Sequence, residues 1–126
     1  IAAYAEHQGA FGLVCNTFIT EEAIRAIKET VEIPLVYTVV SEQTDVAGKL
    51  AAGVDFLNVS GAARTPEIVA HIREQFPEVP IIATGGPTDD TIRATIEAGA
   101  NAITYTPPTS AELFSESMRK YRGRFA

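Results

Sequence analysis

Five short apolar runs recur along the chain: Phe11–Asn16, Pro34–Val40, Val54–Ser60, Val79–Thr84 and Ala102–Thr106. They begin 23, 20, 25 and 23 positions apart (11, 34, 54, 79, 102). The runs are rich in β-branched and aromatic residues and lack a clean polar alternation, the pattern of parallel strands covered on both faces. Segments of helical period separate them. A strand followed by a helix, repeated five times, calls for parallel pairing through right-handed crossovers. The expected class is α/β.

The helices carry their own end signals. Thr20 precedes Glu21 and Glu22, which suit a helix N-terminus, and Ala23, Ile24, Ile27 and Val31 form an apolar stripe. Val46 and Leu50 belong to a shorter helix that Gly53 ends. Thr65 is read as a capping hydroxyl with Pro66 at the first helical position, ahead of Ile68, Ile72 and Phe76. Thr88 opens a helix that closes at Gly99, and Ser110 starts a last one with Leu113, Phe114, Met118 and Tyr121. Ile1 to Gly9 reads as the tail of a further helix, so the sequence is expected to start part-way through an element.

Composition narrows the function classes. The 126 residues suffice for one ordinary domain, here residues 1–126 as a single α/β unit. Ten Lys and Arg against sixteen Asp and Glu leave a net charge of −6, which disfavours a nucleic-acid partner. No apolar run approaches the length of a membrane span, and no targeting segment is visible. Cys15 is the single cysteine. A disulfide framework and a multi-cysteine metal site are thereby excluded, and a reducing, cytoplasmic setting is the default expectation.

Two architectures fit the rhythm. One is an open, flavodoxin-like five-stranded sheet with helices on both faces; the other is part of a (β/α)₈ barrel. Length favours the first and the residues favour the second. A phosphorylation receiver is set aside, because Asn16-Thr17, Asn58-Val59-Ser60 and Thr104-Tyr105-Thr106 stand where its acidic pair, Asp and Lys belong.

The stretch Val79-Pro-Ile-Ile-Ala-Thr-Gly-Gly86, a helix ending Glu97-Ala-Gly-Ala100, and then Asn101-Ala-Ile-Thr-Tyr105 resembles the phosphate-binding (β/α)₈ barrels of the ribulose-phosphate-binding type. Their relatives include sugar-phosphate aldolases, epimerases and synthases. The resemblance covers nearly the whole chain in rhythm and residues 79–105 in motif. It implies that the chain is the C-terminal part of a larger barrel, strands four to eight. It also implies an enzyme acting on a small phosphorylated metabolite as lyase, isomerase or hydrolase. The competing expectation is a non-catalytic, flavodoxin-like ligand-binding or regulatory domain.

A phosphate needs several converging N–H donors, and glycines let the backbone approach it closely. Gly85 and Gly86 offer those amides, with the Thr84 hydroxyl beside them; the bland alternative is a tight strand-to-helix turn. The resemblance places the other half of the grip after the last strand, at Thr106, Thr109 and Ser110, ahead of a helix N-terminus. Here the chain departs from the pattern, because Pro107 and Pro108 remove two donors.

Catalytic groups of barrels sit at the C-terminal ends of strands. Those ends offer Cys15, Asn16, Thr17, Tyr37, Thr38, Ser41, Glu42, Asn58, Ser60, Thr84, Tyr105 and Thr106. Such groups hold and orient a ligand more readily than they move protons. Asn58, Ser60, Thr84 and Tyr105 are the expected substrate contacts. Glu42 is the best-placed ionisable candidate for catalysis, against its plainer identity as a solvated loop carboxylate. Arg64 either pairs with a ligand anion or is salt-bridged on the rim. The strand Asp55–Ser60 has no lysine, which disfavours the Schiff-base chemistry of related aldolases; Lys28, Lys49 and Lys120 are expected as surface charges on helices. No metal site and no cofactor are expected. Acid, base or metal-ligand residues would then lie on strands outside this sequence. The expected partners are the small-molecule substrate and either a second copy of the chain or the missing barrel portion.

Overall fold

The computed structural model describes residues 1–16, 18–84, 88–104 and 109–123. Five strands form one parallel sheet: β1 (Leu13–Cys15), β2 (Leu35–Val39), β3 (Phe56–Val59), β4 (Ile81–Thr84) and β5 (Ala102–Thr104). Each lies inside one of the five apolar runs. The helices are α1 (Ala2–His7), α2 (Glu21–Thr30), α3 (Val46–Ala52), α4 (Thr65–Gln75), α5 (Asp89–Glu97) and α6 (Ser110–Gly123), with a 3₁₀ turn at Ala62–Arg64.

The strand order is β1-β2-β3-β4-β5, every neighbour being the next strand in sequence. An open doubly wound sheet instead reverses its order part-way and so places helices on both faces. Sequential order joined by right-handed crossovers puts every connecting helix on one face. The core agrees. Cys15, Leu35, Tyr37, Val39, Leu57, Val59, Ile81 and Ala83 pack in one cluster with Ile24, Val46, Ile68, Val69 and Ile72 of the helices.

The intervening strand residues, Val14, Val36, Thr38, Phe56, Asn58, Ile82, Thr84, Ala102 and Thr104, face the other way, and the cluster takes none of them. Helices therefore cover one face of the sheet rather than two. The other is an inner face: apolar at the strand starts and polar at their C-terminal ends. Val14, on edge strand β1, is 62% exposed there.

The helix ends follow local chemistry with one correction. The Thr20 side chain accepts from the Ala23 N–H, and Asp45 accepts from Gly48. Thr88 and Thr91 form a reciprocal capping box. Thr65 does not cap α4. It is the helix's first residue, its side chain is buried, and its hydroxyl accepts from the Gly61 N–H at 2.9 Å, tying the 3₁₀ turn to the helix. The cap position is Arg64, and no side chain bonds the first turn there.

Candidate functional site

Parallel pairing brings the C-terminal ends of all five strands to one rim. Thr38 of β2 pairs with Asn58 of β3, and Thr84 of β4 pairs with Thr104 of β5. The Asn58 Nδ2 lies 3.4 Å from the Thr38 Oγ1, and the Thr104 Oγ1 lies 3.5 Å from the Thr84 Oγ1. Both distances are long for hydrogen bonds. Thr38 is nearly buried, Asn58 half-buried, and Thr84 and Thr104 exposed. On the same face Val36 and Phe56 lie one step toward the strand starts, while Ile82 pairs with Asn58 and Ala102 with Ile82. Thr104 was absent from the residues picked out by sequence. Only the register between β4 and β5 reveals it as a neighbour of Thr84.

Ser60 sits one residue beyond β3, half-buried, its N–H bonded to the Val39 carbonyl at 2.9 Å. Tyr37, which the strand end had offered as a rim residue, turns to the helix side instead. It is buried in the core beneath the Lys49 ammonium, 5.4 Å from the ring centroid, and burial raises its phenol pKa. Cys15 is also on the helix side, where burial pushes its thiol pKa up.

Two loops build a second feature of the rim. The Arg64 guanidinium donates to Glu42 at 2.7 Å and reaches Glu67 at 3.1 Å. Glu42 is thus a partly exposed carboxylate paired with an exposed guanidinium. The pair borders a hollow of about 170 Å³ lined by Val40, Ser41, Gln43, Gly61 and Ile68 as well. Ala62 in the adjoining turn has φ 53°, a left-handed conformation seldom adopted by residues with a Cβ.

Thr109 and Ser110 are exposed at the start of α6. The Glu112 carboxylate accepts from the Thr109 N–H at 2.9 Å, and the Thr109 hydroxyl accepts from the Glu112 N–H at 3.1 Å. This is a complete capping box, so a carboxylate already occupies part of the helix N-terminus. Gly85, Gly86, Tyr105 and Thr106, the remaining expected ligand contacts, lie outside the described residues, as do Thr17, Pro107 and Pro108. Among the described residues no group of three or more His, Cys, Asp and Glu is placed to hold a metal ion, and no helix is long and apolar enough to cross a membrane.

The lysines expected as surface charges have partners. Lys28 binds the Asp55 carboxylate at 2.8 Å, and Lys49 lies half-buried over Tyr37 with its ammonium 3.4 Å from the Ile19 carbonyl. Neither faces the polar layer.

Among solved structures, inosine 5′-monophosphate dehydrogenase from Legionella pneumophila superposes on 82% of this chain with a TM-score of 0.65 and 20% sequence identity. That enzyme is a TIM barrel, and the likeness is one of fold. The chain is an arc of a (β/α)₈ barrel. Thiamine-phosphate synthase from Geobacillus thermodenitrificans is 30% identical over 94 residues, which take in 66% of this chain. The chain spans 42% of that synthase's length and 34% of the dehydrogenase chain. No protein-family profile matches the sequence.

Proposed function

We propose that the chain is the C-terminal, substrate-holding part of a phosphate-binding barrel enzyme that acts on a small phosphorylated metabolite. The observation that carries this reading is the polar layer of Thr38, Asn58, Thr84 and Thr104 at the strand ends, where barrel enzymes bind and transform substrates. The similarity to a thiamine-phosphate synthase, whose name includes a phosphorylated compound, supports the anionic part of the ligand. Thr84 with Gly85 and Gly86 holds the phosphate from one side, and Thr109 and Ser110 from the other, with Tyr105 and Thr106 between them in sequence.

In this reading Asn58 and Ser60 contact the body of the substrate. Proton transfer falls to Glu42 or to residues of further strands, because the polar layer itself holds no ionisable group. Additional strands complete the cylinder against β1 and β5, supplied by the rest of a longer chain or by a second copy. The setting is reducing and cytoplasmic, where Cys15 stays a thiol. The flavodoxin-like binding domain loses its basis, since the strand order is sequential.

Titration of the ¹⁵N-labelled chain with inorganic phosphate tests the grip. Shifts of the Gly85 and Gly86 amide signals at millimolar phosphate are the expected result. Unmoved signals would count against a phosphate site there and favour the plain strand-to-helix turn.

A further inference from the structure

The strand pairs β2–β3 and β4–β5 carry matching residues at matching places. Pro34, Leu35, Thr38, Gly53, Asp55 and Asn58 recur 46 positions later as Pro80, Ile81, Thr84, Gly99, Asn101 and Thr104. At the rim each copy ends in two facing polar side chains, Thr38 with Asn58 and Thr84 with Thr104. At the opposite end each is pinned by a clamp. The Asp55 N–H donates to the Leu35 carbonyl at 2.8 Å, and its carboxylate accepts from the Leu35 N–H at 2.8 Å. The Asn101 N–H donates to the Ile81 carbonyl at 2.8 Å, and its Oδ1 accepts from the Ile81 N–H at 2.9 Å. A cation from the preceding helix, Lys28 or Arg73, holds the accepting side chain. Gly53 and Gly99 pass beneath that cation with φ of 123° and 118°.

The second copy depends on its clamp more than the first. β2 is buried along its whole length, whereas β5 has three residues, Ala102 and Thr104 exposed and Ile103 half-buried. Burial specifies register strongly, and a short exposed edge strand has little besides its ladder to hold it. The Asn101 side chain adds one rung to that ladder. It also satisfies the N–H of Ile81, a fully buried residue, and a buried donor left without a partner is costly.

We infer that Asn101 is a positioning residue: by pinning β5 to the start of β4 it sets the register that puts Thr104 beside Thr84, about 10 Å away at the other end of the strands. The inference rests on the proposed reading of this rim as the substrate mouth, and it adds the device that keeps one pair of its side chains together. Asp55 makes the same bonds below Thr38 and Asn58, but there the buried β2 holds the register without it.

Asn101→Ala tests this against Asp55→Ala, which opens the same clamp in the other copy. Cross-strand nuclear Overhauser effects between the Thr84 and Thr104 backbones read the register with no ligand present. They should be lost in Asn101→Ala and return in Asn101→Asp, which copies Asp55. The corresponding effects between Thr38 and Asn58 should persist in Asp55→Ala. Inorganic phosphate, read at the Gly85 and Gly86 amides, should bind Asn101→Ala at least about fivefold more weakly, and the other two variants within about twofold of the unaltered chain. Retained Thr84–Thr104 effects in Asn101→Ala, no return in Asn101→Asp, or an equal loss of phosphate affinity in Asp55→Ala would overturn the inference. Should Asn101→Ala not fold, hydrogen exchange on the unaltered chain decides: phosphate must slow the Ile81 amide more than the Leu35 amide, and equal slowing counts against the clamp. If phosphate moves no signal of the unaltered chain, the reading of the mouth fails, while the Overhauser comparison still tests Asn101.

Discussion

Arg73 on α4 and Asn101 ahead of β5 lock the end of the sheet opposite the candidate site. The guanidinium donates to the Asn101 Oδ1 at 3.0 Å, and the same oxygen accepts from the Ile81 N–H at 2.9 Å. Arg73 further donates to the carbonyls of Gly99, Phe76, Pro77 and Val79. One side chain thereby joins the end of α4, the loop into β4 and the turn out of α5. In barrels this face serves stability and the opposite one chemistry. The planar, five-donor guanidinium suits the task, and a lysine ammonium cannot span so many acceptors. Arg73→Lys should lower unfolding free energy by about 2 kcal/mol in urea titration, the scale of losing charge-assisted hydrogen bonds. A change near zero would show that water replaces the guanidinium at these carbonyls without cost.

Asp55 plays the corresponding part between β2 and β3. Its Oδ2 accepts from the Leu35 N–H and the Lys28 ammonium, both at 2.8 Å. Partial burial alone would raise its pKa, but the Lys28 hydrogen bond, the Leu35 N–H and the Lys28 charge outweigh it, and the carboxyl sits below its ordinary value of 3.8. A carboxylate depressed in the folded state contributes stability that is present above its unfolded pKa and fades as pH falls through the folded one. The melting temperature of the unaltered chain should therefore exceed that of Asp55→Asn at neutral pH. The gap should narrow only below about pH 4, in the range of an ordinary Asp carboxyl. A gap independent of pH would assign the loss to geometry rather than charge.

The fold was legible because each strand and most helix ends carry local signals. Thr20, Thr88 and Gly53 mark helix ends in the positions their chemistry predicts. The apolar runs left one point open. Val14, Val36, Phe56 and Ile82 make both strand faces read as covered, which suits an open doubly wound sheet and a barrel equally, because a barrel interior and a helix-covered face are apolar alike. Thr65 misled, since a hydroxyl before Pro66 serves either a helix or the turn ahead of it, and only the position of Gly61 decides. At the site, Asn58 and Thr84 were visible as strand-end polar residues. The contacts of Thr104 and Asp55, and those of Arg73 with Gly99 and Asn101, join segments 20 to 28 residues apart, which no local pattern encodes.

Glu42 and Arg64 allow the catalytic candidate to be tested cleanly. Their ion pair is short but open to solvent, Arg64 being 64% exposed in its side chain, and Arg64 keeps Glu67 as a second partner. Exposed pairs of this kind are worth roughly 0–1 kcal/mol. Glu42→Gln should leave the midpoint of thermal unfolding nearly unchanged, so that any effect of the variant on turnover reads on chemistry rather than on folding. A large drop in melting temperature would instead make the pair a structural brace of the rim.

Glu112 sets the terms on which α6 can meet an anion. Its carboxylate takes the Thr109 N–H, one of the donors a phosphate would use, and places a negative charge at the helix start. A phosphate bound there must therefore displace or repel Glu112. Glu112→Gln removes the charge while keeping the side chain's length, and the Thr109 hydroxyl can still accept from the N–H of residue 112. Inorganic phosphate should then bind about two- to fivefold more tightly, the range expected from one like charge within the first helical turn. Because the capping carboxylate also stabilises α6, the same variant should lose up to about 1 kcal/mol of stability. Titration at two salt concentrations separates the effects: the gain in affinity should shrink as salt screens the carboxylate. Unchanged affinity at low salt would remove the start of α6 from the anion grip and leave that role to Thr84, Gly85 and Gly86.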